Sequence, residues 1–214
     1  MVRVFRSTEM ADEQKPGGDA PAGEQAGAAP KAPPAAHPPP KPPPGMATAP
    51  WESELTARLK ARFGDSIREL VTYVGQNFLV ADLASAVPIL EFLKIEDEFE
   101  YLVDITAVHY PKREKQFDVV YVLYRFPPHN ERIRIKTQVA EGEKVPTATG
   151  VHVGANWLER EVFDMFGIEF EGHPDMKRIL LPEDWQGYPL RKEYGIIQQD
   201  QRWVQENLQI ESGQ

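Results

Sequence analysis

The distribution of proline decides first what this chain can build. Twelve of its 20 prolines precede Trp51, and the same stretch holds a single aromatic, Phe5. Proline fixes φ and removes a backbone donor, so residues this rich in it and this poor in apolar side chains form neither a hydrogen-bonded ladder nor a core. Residues 1–50 are therefore predicted to be a disordered Pro/Ala-rich N-terminal extension. Within it, 30–44 (PKAPPAAHPPPKPPP) should run as polyproline helix, a semi-rigid tether. Folding falls to the residues from Trp51 onward.

Charge points the same way. Five acidic and five basic residues cancel before Trp51, so the whole net charge of -9 rests on the folded part. An acidic domain is repelled by phosphate backbones and anionic lipid heads, which excludes nucleic acid as a main partner and leaves a membrane to be reached only indirectly. Cysteine is absent. That excludes thiolate-ligated iron–sulfur clusters, cysteine-rich zinc sites, cysteine nucleophiles and disulfides. The chain has no apolar run of about 18 residues and no apolar core of a secretory signal, so a cytoplasmic protein without a membrane span is expected.

Hydrophobic periodicity outlines the domain. Trp51, Leu55, Leu59 and Phe63 recur every fourth residue along one helical stripe, which Gly64 ends. Two short apolar runs, 70–74 and 77–81, flank Gly75-Gln76, a pair that suits a type II′ hairpin. Residues 88–94 (PILEFLK) suit a short helix with proline in its first turn. Phe99, Tyr101, Val103, Ile105 and Ala107 alternate with polar residues as in a half-buried strand. Residues 117–126 are apolar on both faces, as in a central strand. In 132–139, Ile133, Ile135 and Val139 face inward while Arg132, Arg134 and Lys136 form an outward basic row, read as a solvated face or a protected edge. The sum is an α+β fold: a mainly antiparallel sheet of about five strands with helices on one face, spanning 51–167. No internal repeat is visible.

The last third differs. Residues 155–166 form a helical pattern ending at Gly167, with Ala155, Leu158, Val162, Met165 and Phe166 in one stripe and Trp157 and Phe163 well outside it. Large aromatics beside a charged face need a second surface to cover them. Arg160 and Asp164, four apart, are placed to pair on that helix. Residues 168–194 combine three prolines and two glycines with many apolar side chains and no helical period. Such a segment is predicted to lie extended along a surface, partly that of another protein, so 168–214 is read as an extended, irregular, partner-binding segment.

The string EREVFDMFGIEFEGHPDMKRILLPEDWQGYPLRKEY, residues 159–194, resembles the signature region of the 30 kDa subunit family, the C subunit of bacterial respiratory complex I. The likeness rests on Glu159-Arg160-Glu161, Phe163-Asp164, Phe166-Gly167, Gly172-His173-Pro174-Asp175, Arg178-Ile179-Leu180 and Pro189-Leu190-Arg191-Lys192, and extends back to about Trp51. The proline-rich extension is not part of that family pattern. The resemblance implies a structural subunit of the peripheral arm of a proton-translocating NADH:quinone oxidoreductase. Such a subunit sits on the cytoplasmic side of the bacterial inner membrane, touching the membrane only through the complex. It implies no cofactor in this chain, with FMN, iron–sulfur clusters and quinone held by partners. Those partners are the other peripheral-arm subunits: the large one that shapes the quinone site and the iron–sulfur subunits. A homologous subunit of a membrane-bound hydrogenase or ferredoxin:quinone reductase is the alternative the same motif admits.

On this reading the candidate partner-contact residues of the helix are Trp157, Glu159, Arg160, Glu161, Phe163 and Asp164. Those of the extended segment are His173, Pro174, Asp175, Arg178, Leu190, Arg191, Lys192 and Tyr194. His173 and Asp175, with His152 or His109 as a third ligand, offer a metal reading, and with nearby carboxylates a stand-alone hydrolase. No H-E-x-x-H spacing supports either. Glu159, Glu161 and Asp164 point different ways on one helix, without a nucleophile, so no catalytic centre is predicted. Gly172-His173-Pro174-Asp175 is read instead as a tight turn in which Asp175 caps backbone donors.

Overall fold

The computed structural model describes residues 48–195 and 201–209. The polyproline stretch lies outside the described residues, as does the chain's C-terminal end. Ala49 and Pro50, assigned by the sequence to the extension, form the short edge strand β1 (Ala49–Pro50), paired with Thr72 and Val71.

The first helix, α1 (Glu54–Phe63), starts at a reciprocal cap. Ser53 Oγ accepts from the Thr56 backbone N–H, and Thr56 Oγ1 accepts from that of Ser53. The helix stops at Gly64, whose φ of 49° suits a residue without Cβ. Then come β2 (Ile67–Tyr73), β3 (Gln76–Ala81), α2 (Ala86–Glu96), β4 (Tyr101–His109), β5 (Phe117–Arg125) and β6 (Glu131–Val139). A two-stranded pair of β7 (Val145–Pro146) and β8 (Phe170–Glu171) brackets α3 (Ala155–Phe166), and α4 (Gln201–Leu208) follows.

The main sheet has six strands in the order β1-β2-β3-β6-β5-β4. All pairs are antiparallel except β3 with β6, which the helical crossover through α2 makes parallel. The fold is α+β, with α1, α2 and α3 sharing one core. Leu55 and Leu59, then Ile89, Leu90 and Leu93, then Val162 and Phe166 join Leu79, Ile105, Leu123, Ile133 and Ile135 in one buried cluster. Full burial of each large aliphatic side chain stabilises the domain by about 1.5–3 kcal/mol before entropy is counted.

Three local expectations are corrected. The hairpin turns on Val74-Gly75, not Gly75-Gln76. Tyr73 pairs with Gln76, and both central residues have positive φ, 48° and 72°, as in a type I′ turn. A β-branched residue in that region is strained, so glycine at the second position outweighs valine's preference. In β4 a bulge between Leu102 and Asp104 inserts a residue and reverses the alternation. Leu102 and Ile105 are buried, and Tyr101, expected inside, is 52% exposed. Finally, β6 is no edge: it is bonded to β3 on one side and β5 on the other. The basic row therefore lies in the middle of a sheet face.

Candidate functional site: helix α3 and the segment that follows it

Helix α3 is buried on two sides by different means. One side faces the sheet through Ala155, Val162 and Phe166, and Glu159 lies with them, wholly inaccessible. Stepping 100° per residue puts Glu159 at the edge of the apolar stripe, beside Phe166, a signal the charge of the residue obscures. Its carboxylate accepts from Thr147 Oγ1 and from the Ala148 N–H, both at 2.6 Å. Burial drives its pKa up, and those two donations only partly oppose the rise. Glu159 thus ties the loop after β7 to the helix.

The opposite side carries Asp164, equally inaccessible. Stepping places it about 180° from the stripe, where the sequence predicts solvent or a partner. The chain's own segment covers it. Asp164 Oδ2 accepts the backbone N–H groups of Ile179, Leu180 and Leu181 at 3.1, 2.8 and 2.9 Å, and Oδ1 takes Arg178 Nη1 at 2.5 Å. Burial alone would raise the Asp164 pKa; the donations from Leu181, Arg178, Leu180 and Ile179 outweigh it and hold the carboxyl below its ordinary value.

Arg178 also donates to the carbonyls of Asp164, Trp185 and Gly187, using its planar fork to join three stretches of chain. The expected Arg160–Asp164 pair does not form. Arg160 reaches instead to the carbonyls of Lys177 and Arg178, because Asp164 is saturated by nearer, fixed donors.

A helix leaves its last four carbonyls without intrahelical donors. In α3 every one is satisfied: Phe163 by the Gly167 N–H, Asp164 by Arg178, Met165 by the Leu190 N–H, and Phe166 by Arg191 Nε. Arg191 lies between the rings of Tyr188 and Phe117, 4.8 and 5.2 Å from their centroids, and pairs with Glu141 at 2.9 Å. The next residue donates its N–H to Nδ1 of the buried His109, which stacks on Phe117 and meets Glu193 at 3.2 Å. Gly167 and Gly187 have positive φ and lie beneath the rings of Tyr188 and Tyr194. Tyr188 also meets Phe163 edge-on. Thus Arg178, Arg191, the backbone of Lys192 and Tyr194 are bound to this chain itself. Much of the surface on which 168–194 lies is its own.

His173 is engaged as well. Its Nε2 meets the Asn156 carbonyl and its Nδ1 accepts the Asp175 N–H, both at 3.0 Å. Histidine, not Asp175, therefore caps this turn, and Asp175 pairs with Lys177 in the open at 2.8 Å. With both ring nitrogens committed, His173 is a poor metal ligand. Among the described residues no group of three or more His, Asp or Glu side chains is placed to hold a metal. Pro174 and Glu161 are exposed. Trp157 stands out from α3 at 71% exposure, and beyond the latch that Asp164 forms with Arg178 and the N–H groups of Ile179, Leu180 and Leu181, the Leu180 and Leu190 side chains are 62% and 51% exposed.

The family of the respiratory-chain NADH dehydrogenase 30 kDa subunit matches residues 79–200. The chain belongs to that family. Among its relatives, the C subunits of NADH-quinone oxidoreductase from Brucella ovis and Brucella melitensis are each 46% identical over 145 residues. The aligned part covers 67% of this chain and 71% of theirs. The Brucella abortus protein of that name is 45% identical over the same length. In this member of the 30 kDa family, the residues that carry the family string include the latch itself: Glu159, Asp164, Gly167, Arg178 and Arg191. Sequence reasoning assigns Glu159, Asp164, Arg178 and Arg191 to partners, and it misses Thr147, Gly187 and Tyr188. A carboxylate opposite a helix's apolar stripe, followed by an arginine 14 residues on, is the available signal.

Proposed function

We propose that this chain is a structural core subunit of the peripheral arm of an NADH:quinone oxidoreductase. In this reading the chain holds no cofactor. It braces the large quinone-site subunit and the iron–sulfur subunits, which carry the electrons together with FMN. The domain 51–167 supplies rigidity and 168–214 contributes the partner-binding edge. The complex places the chain at the cytoplasmic face of the bacterial inner membrane; no helix among the described residues is long and apolar enough to cross one.

The single observation that carries this reading is the division of labour around α3. Glu159, Asp164 and His173 are occupied within the chain, and the buried His109 accepts the Lys192 N–H at Nδ1. Beside exposed charged residues such as Glu161, Lys177 and Lys192, the same region turns three large apolar side chains outward: Trp157, Leu180 and Leu190. A tryptophan left open on a rigid helix is the kind of anchor that interfaces enclose.

The test is Trp157→Glu in the tagged chain. Since Trp157 supports no core contact, the purified variant should keep its melting temperature. Assembled complex on a native gel should fall about tenfold, a loss typical of an interface anchor. NADH:quinone turnover per assembled complex should stay unchanged. Wild-type assembly, or reduced turnover at full assembly, refutes the reading.

A further inference from the structure

The helices leave one face of the six-stranded sheet to other occupants. Side chains alternate across a strand, so the residues that precede Ile133, Ile135 and Thr137 on β6 point away from the shared core. These are Arg132, Arg134 and Lys136. The register sets Arg134 between Phe78 of β3 and Val122 of β5, and Lys136 between Val80 and Val120. A cationic row thus runs through apolar flanks, at about 7 Å per step for alternate residues of a strand. Phe78 and Val120 are nearly enclosed yet stand outside the cluster that α1, α2 and α3 bury.

Two ordinary reasons for such a row fail here. Cations protect an edge strand from pairing, but β6 is bonded on both sides. Cations also neutralise nearby carboxylates, but none of the ion pairs among the described residues involves Arg132, Arg134 or Lys136. Lys136 Nζ instead sits 4.0 Å above the Phe78 ring. The acidic groups on this face lie toward its margins: Asp104 on β4, Glu69 on β2, and Asp118, which is tied to Arg113. Unpaired positive charge therefore gathers at the centre of one face of a chain whose net charge is -9.

We infer that this face is a second docking surface, and that its occupant is an acidic, partly apolar protein segment of a neighbouring subunit. Carboxylates on such a segment would meet the β6 row while its apolar side chains lie against the half-buried Val122. An anionic membrane or a nucleic acid would also find cations here. Either approaches under the field of the whole chain, however, which repels it, whereas a short segment feels the local row. The inference rests on the subunit reading for the existence of a neighbour. It does not depend on which residues of α3 are covered.

The experiment uses the intact complex, purified through a tag on this chain. Zero-length carbodiimide coupling joins an amine to a carboxylate in contact with it, and Lys136 is the lysine of this face. Lys136 joined to an Asp or Glu of another subunit supports the proposal. So does an approximately tenfold loss of incorporation for Arg132→Glu with Arg134→Glu, against about twofold for the paired Gln variants, as expected where attraction turns to repulsion. Lys136 coupled only within its own chain, and labelled by a bulky amine reagent equally fast in the complex and in the free chain, overturns it. So does protection of Lys136 by vesicles of phosphatidylglycerol but by no subunit. An intact complex with Lys136 open sinks this inference alone; recovery of the chain with no other subunit sinks the subunit reading too.

Discussion

Replacing Asp164 by asparagine tests the latch, because the change keeps volume and removes one charge. The carboxylate serves four donors at once: three successive backbone N–H groups and Arg178, whose side chain is only 12% exposed. The amide that replaces one oxygen is itself a donor, so either the backbone groups or the guanidinium lose their acceptor. Breaking one side of a buried, hydrogen-bonded ion pair costs about 3–5 kcal/mol. Ile179 and Leu180 lie at the surface, where water can reach the freed N–H groups, so the lower end, about 3 kcal/mol, is the appropriate figure.

That free energy holds a segment to a helix, so it should appear first as local opening. At about 1.4 kcal/mol per decade, amide exchange at 179–181 should accelerate about a hundredfold. The melting temperature should fall by about 6–12 °C if the loss is felt globally. Hydrogen-exchange mass spectrometry on the peptide spanning 176–183 reads the first effect directly. The same change at Asp175, whose carboxylate is solvated, should leave both observables at wild-type values. The pH dependence follows from the depressed Asp164 pKa. The latch contributes fully above the ordinary carboxylate range and loosens only as the pH falls through the lower folded value. Exchange within threefold of wild type at 179–181, with an unmoved melting temperature, would refute the reasoning.

Glu159→Gln should show the opposite pH trend. Burial raises the Glu159 pKa, so wild type is favoured below the unfolded value near 4.5 and loses that advantage as the pH rises through the folded one. Urea midpoints of wild type minus variant should therefore fall between pH 4.5 and 7.5, and parallel profiles would count against an ionised, buried Glu159. Gly167→Ala places a Cβ 2.5 Å from Tyr188 Cε2 at a φ of 75°, and should cost about 2–4 kcal/mol by thermal melting, from strain and a displaced ring. In a Tyr188→Ala background only the backbone cost, about 1 kcal/mol, should remain.

The sequence made legible what periodicity controls. The stripes of α1 and α3, the inward set Ile133, Ile135 and Val139, and the single-faced placement of the helices all follow from where apolar residues recur. It failed where one residue resets a count. Adding a residue near Val103 turned Tyr101 outward, and the turn moved from Gly75-Gln76 to Val74-Gly75 because glycine was needed second. It also failed where polar residues are satisfied at a distance. Asp164 and Arg178 look like surface charges along the chain, and only folding reveals that each closes the other's valences. Charge signals partner contact in a sequence and self-contact in a latch, and composition cannot separate the two.

The latch and the open face of α3 are not independent. The extended segment is the helix's C-terminal cap, since Gly167, Arg178, Leu190 and Arg191 between them satisfy all four terminal carbonyls. Freeing the segment exposes those carbonyls and loosens the turn that bears Phe163 and Phe166, the far end of the helix from which Trp157 projects. Latch variants and Trp157 variants should therefore both lower assembly, but by separable routes. The former lose order in the isolated chain before any partner is present. The latter lose only the contact, and leave exchange at 179–181 as slow as in wild type.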